Sequence, residues 1–81
     1  MKLKNVKIGQ RVVTKVDYNP VMKGMTGTIV EKNSTSPFVA WDNFHRGHNG
    51  YEGIPNEADK YVNNERDNVC SIDIEYIKKE K

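Results

Sequence analysis

The sequence predicts an all-β domain of five short strands that curl into a small barrel, with a long irregular insert between strands 3 and 4. Three observations lead there. β-Branched residues are numerous and clustered, which favours strands over helices. Apolar residues alternate with period two in short runs. Those runs are separated by glycine, proline and asparagine, the residues that reverse a chain. At 81 residues the chain is one domain, 1–81, with a thin core. Closing a short sheet into a barrel removes edges it cannot otherwise protect.

Each strand has its own signal. Gly9-Gln10 turns the chain into Arg11–Val16, where Val12, Thr14 and Val16 share the better core face. Asp17-Tyr18-Asn19-Pro20 is a loop, because Pro20 lacks a ladder donor and pushes Asn19 away from helix. Gly24-Met25-Thr26-Gly27 is the strongest turn signal; glycines at this spacing suit a positive φ or a close backbone approach. Thr28–Glu31 is the second strand, and the polar segment Lys32–Pro37 leads to the third, Phe38–Asp42. Residues 43–67 hold no lasting period and form the insert, with a helical turn at Asn56–Tyr61. Apolar alternation returns at Asn68–Ile72; Asp73-Ile74-Glu75 turns, and Tyr76–Lys78 closes the sheet. The expected core is Val12, Val16, Ile29, Val39, Trp41, Val69, Ile72 and Ile77. Trp41 lies mid-strand, where a tryptophan serves better as the largest core side chain than as a stacking platform.

Several of these segments together resemble a known group. Gly9-Gln10-Arg11-Val12-Val13, Lys23-Gly24-Met25-Thr26-Gly27-Thr28-Ile29-Val30 and Val39-Ala40-Trp41-Asp42 resemble the opening half of SH3-like barrels of the KOW and Mind-bomb types. The second half is similar to small SH3-like accessory proteins of bacteriophages. It has a glycine–histidine segment, Arg46-Gly47-His48-Asn49-Gly50, and a closing pair, Val69–Ile72 and Ile74–Ile77. The resemblance implies a five-stranded SH3-like barrel. Fold likeness alone carries no function.

Composition narrows the function classes. No apolar run approaches the ~20 residues of a transmembrane helix, and no apolar stretch follows Met1–Asn5 to make a signal peptide. The lone Cys70 cannot form an internal disulfide, which fits a reducing cytoplasm, that of a host cell for a phage protein. His45, His48 and Cys70 are the only soft metal ligands, fewer than a structural zinc site uses, so no metal and no cofactor is expected. Cys70 sits in an apolar strand pattern, where burial leaves a thiol inert. With no nucleophile elbow, phosphate-cradling loop or paired acids, the chain is expected not to be an enzyme.

Binding remains. Residues 1–30 carry six basic side chains and one acid, and residues 31–81 carry seven basic side chains and ten acids. Phosphates require cations on flexible stems, and unstacked bases require flat faces. Lys15, Tyr18, Lys23, Phe44, Arg46, His48 and Tyr51 interleave cations with aromatic rings in expected loops. They are the candidate nucleic-acid contacts. RNA is favoured because no recognition helix is present for a major groove. The alternative is a protein-binding accessory factor, such as a phage-encoded modulator of a host protein. It would use the acidic insert, where Glu52 to Asp67 hold five acids against Lys60 and Arg66. The partner's identity and the oligomeric state are not encoded in any recognisable motif.

Overall fold

The computed structural model describes residues 6–17, 21–32, 36–44, 56–63 and 67–80. They form β1 (Arg11–Thr14), β2 (Thr26–Glu31), β3 (Phe38–Trp41), β4 (Val69–Ser71) and β5 (Ile77–Lys79). Two 3-10 helices accompany the strands, Asn56–Tyr61 between β3 and β4 and Ile74–Tyr76 between β4 and β5. The five strands make one sheet in the order β4-β3-β2-β1-β5, antiparallel at every pairing.

Strand formation follows the alternation in the sequence. On β3, Val39 and Trp41 point to one face and Phe38 and Ala40 to the other. Val39 and Trp41 join Val6, Val12, Val21, Ile29, Phe44, Ile72 and Ile77 in the main core. Ala40 joins Val30, Val69 and Ala58 in a second cluster on the opposite face. A bulge between Ile29 and Glu31 sets Glu31 against Phe38 and adds twist to β2.

Two glycines make this geometry accessible. Gly24 is third in the turn closed by the Met25 N–H donating to the Met22 carbonyl at 3.1 Å. Its φ of 88° is a conformation that L side chains resist. Gly27 lies in β2 opposite both Val12 and Trp41. A Cβ there would sit 2.6 Å from Val39 Cγ1, 2.8 Å from the Ala40 carbonyl oxygen and 2.9 Å from Trp41 Cε3. The bare backbone at Gly27 therefore lets the β3 side chains lie flat across β2.

Connectivity forces the sheet to curl. β4 and β5 are consecutive in the chain yet occupy opposite edges. In a flat sheet those edges would be about 19 Å apart. The link between them includes the 3-10 helix Ile74–Tyr76, which rises only ~2 Å per residue. It therefore reaches about 18 Å from Ser71 to Ile77 at most. The shortfall draws the edges together around the main core. No ladder joins β4 to β5 among the described residues, so the sheet is bent but open rather than closed.

Two sequence expectations are corrected. Val16 is 40% exposed, not core. β1 ends at Thr14, where the Lys15 N–H turns to the Tyr76 carbonyl (2.7 Å) and the Thr14 carbonyl accepts from Gly24 (3.1 Å). The alternation in the sequence runs past the ladder. Nor is segment 43–67 a free excursion throughout. Phe44 enters the main core and Ala58 is fully buried in the second cluster. The helix Asn56–Tyr61 is fastened by Asn68, whose buried amide donates to the Trp41 and Tyr61 carbonyls at 3.2 and 3.3 Å. Asn68 Oδ1 accepts the Asn63 N–H at 3.1 Å.

Candidate functional site

The β1–β2 connection, residues 15–25, carries the clearest candidate surface. Val21 is fully buried and anchors the loop in the main core. The next residue therefore faces outward, and Met22 is 65% exposed. Its backbone is nonetheless held. The Thr14 hydroxyl donates to the Met22 carbonyl at 2.7 Å and accepts the Met25 N–H at 3.1 Å. The Met22 N–H donates to Met25 Sδ at 3.2 Å. The Lys23 N–H donates to Asp17 Oδ1 at 2.8 Å, which ties the two arms of the loop together.

Three lysines border this loop. Lys15 and Lys23 belong to it, and both are exposed, as the sequence led one to expect. Lys78 is exposed on β5 opposite Val13, while Lys15 bonds the Tyr76 carbonyl two residues before it. The three cations thus stand on adjoining segments at the end of β1. Among the described residues none of them makes an ion pair.

Arg11 is in the opposite situation. Its guanidinium donates to Asp42 Oδ1 at 2.8 Å, to Glu80 Oε1 at 2.8 Å and to the Thr28 hydroxyl at 2.9 Å. The Thr26 hydroxyl donates to Asp42 as well. Hydrogen bonding to Asp42 and then Glu80 raises the Arg11 pKa further. The same guanidinium, with help from Thr26, holds the Asp42 carboxyl below the usual carboxylate range. This cluster crosses β5, β1, β2 and the end of β3. It is a brace whose positive charge is already matched.

The aromatic part of the expected face is changed. Phe44 is only 5% exposed and packs in the main core, so it is not available to stack on a base. Its position just after β3 folds it back under the sheet, where an apolar ring gains most from burial. Trp41 is fully buried, as expected, and its Nε1–H is without a hydrogen-bond partner among the described residues. Tyr61 has Lys60 Nζ over its ring, 5.3 Å from the centroid. Tyr18, Arg46, His48 and Tyr51 lie outside the described residues, as does His45. Met22 and Val16 were not foreseen as surface features. The adjacent apolar pair Val21-Met22 in a loop was the available signal, because neighbouring side chains there seldom both face inward.

Cys70 pairs with Val39 across β3 and is half-buried, and burial pushes its thiol pKa up. A raised pKa keeps it a thiol rather than a nucleophilic thiolate. Among the described residues no three His, Cys, Asp or Glu side chains stand together as a metal site. No helix among them is long and apolar enough to cross a membrane. Comparison with protein-family models, curated proteins and solved structures finds no match to this chain.

Proposed function

We propose that the protein is a non-enzymatic binding module that holds single-stranded RNA along its β1–β2 loop, on a sheet curled as an SH3-like barrel. The strand order supports the barrel reading, since a short link between opposite edges leaves little room for a flat arrangement. One observation carries the binding reading. Lys15, Lys23 and Lys78 are exposed on adjoining segments with no acid partner among the described residues, while nearby Arg11 is neutralised by Asp42 and Glu80. Unmatched cations on flexible stems attract phosphates and release counterions on binding. Asp17 is the acid within the loop, and its Oδ1 accepts the Lys23 N–H rather than pairing with a lysine ammonium among the described residues. Tyr18, Arg46, His48 and Tyr51 extend the proposed face; Phe44 is no longer part of it.

The test is fluorescence anisotropy of a labelled single-stranded RNA across a salt series. Three phosphate contacts predict a log–log slope of about −2 for a single strand. Replacing Lys15, Lys23 and Lys78 by glutamine should flatten that slope by about 0.7 per lysine and leave the melting temperature unchanged. No binding at low salt, or binding indifferent to salt, would refute the reading.

A host protein docking on the acidic insert is the second reading, favoured by the exposure of Glu57 and Asp59 on the helix Asn56–Tyr61. Charge reversal at those two positions is its test. Deleting the segment would remove buried Ala58 from the second core cluster along with the acids.

A further inference from the structure

We infer that Met22, with Val16 in the same β1–β2 connection, is a base-contacting platform that makes the loop selective for single strands over duplexes. This rests on the RNA reading above and assigns the non-phosphate part of the same site.

Met22 and Val16 are the large hydrophobics exposed among the described residues, and both lie in the β1–β2 loop. Exposed apolar side chains scattered singly would need no explanation. These two lie between Lys15 and Lys23 in the chain, and the backbone at Met22 and Lys23 is held by hydrogen bonds. Met22 is gripped at its N–H by Met25 Sδ and at its carbonyl by the Thr14 hydroxyl and the Met25 N–H. The Met22 side chain is thus presented at the surface from a backbone that is already held, so little ordering of that backbone remains to be done on binding.

The flanking charge indicates which partner. An apolar side chain between unpaired cations complements a ligand with an apolar face and regularly spaced negative charges. An unpaired nucleotide has both, a π-face and a phosphate. The soft, polarisable methionine sulfur makes favourable contacts with aromatic rings, and bases stack on exposed platforms largely without regard to sequence. A duplex presents the same phosphates but keeps its base faces stacked inside. Lysines alone would bind both forms; Met22 and Val16 add affinity only for the form with free bases.

The experiment compares the wild-type chain with Met22→Gln and Val16→Ser. The probes are a short uridine RNA, a duplex RNA of equal length, and a glutamate-rich peptide containing leucines. Met22→Gln is expected to weaken single-strand binding about three- to tenfold. It should leave duplex binding, the salt slope and the melting temperature unchanged. Val16→Ser should act in the same direction, more weakly. If Met22→Gln binds the single strand as the wild type does, the inference is overturned while the lysine-based reading stands. If the wild type binds neither RNA at low salt, both fall. Met22-dependent binding of the acidic peptide would then assign the surface to a protein partner.

Discussion

Gly27 and Trp41 face each other across β2 and β3, and each is constrained by the other. Gly27→Ala would force a Cβ against Val39, the Ala40 carbonyl and the indole, at least one of which is backbone and cannot rotate away. Overpacking of this kind costs about 1–3 kcal/mol, which a fall in the urea midpoint would register. Trp41→Phe behaves differently. The indole N–H has no hydrogen-bond partner among the described residues, so phenylalanine loses volume but removes a buried donor that is itself a liability. Its cost should fall short of the ~3–5 kcal/mol of a tryptophan-to-alanine change. This scale was partly legible: the Gly24–Gly27 spacing called for a turn with a positive φ or a close backbone approach, and Gly24 makes the turn, whereas Gly27 lies within β2 rather than in the turn. Phe44 was not legible, because a sequence shows that a ring follows a strand but not whether the chain folds back beneath it.

The helix Asn56–Tyr61 covers the face of β2, β3 and β4 that the main core does not reach. Ala58 supplies the contact and Asn68 the fastening. Replacing Asn68 by alanine removes the donor to two carbonyls and the acceptor for the Asn63 N–H. Leaving buried backbone groups unmatched costs about 1–3 kcal/mol. Amide exchange should accelerate in residues 58–63 before the rest of the sheet responds. The helical turn was readable from Asn56–Tyr61 itself, but its packing was not. Ala58 is the helix's buried residue, and a lone alanine makes no apolar period that reasoning from periodicity could detect. Strand positions were legible to within a residue or two because alternation marks them. Their ends were set by hydrogen bonds to distant segments, such as Lys15 to Tyr76.

Across the whole molecule, the Arg11 brace links the strands that the curled sheet must hold in register. The Asp42 carboxyl titrates below its ordinary range because of Arg11. The stabilisation is therefore present above the unfolded-state carboxylate pKa and is lost as pH falls through the lowered folded value. Arg11 and Asp42 side chains are 39% and 36% exposed, so water screens the pair to less than about 1 kcal/mol. Arg11→Gln should lower the melting temperature by no more than about 4–8 °C at neutral pH. The difference should shrink as the pH is lowered and the Asp42 carboxyl takes up its proton. Thermal melts at both ends of that range check the sign. The candidate site was half legible: Lys15 and Lys23 followed from charge, whereas the outward turn of Met22 depended on Val21 taking the inward place.

The pairing of β1 with β5 also has a consequence in time. Ribosomes make β1 first and β5 last of the five, and β1 borders β5 along Val12–Thr14. Until residues 77–79 emerge, the nascent sheet keeps one side of its oldest strand uncovered and lacks Ile77 for its core. Completion of the sheet thus waits for β5 and for a pairing between segments far apart in sequence.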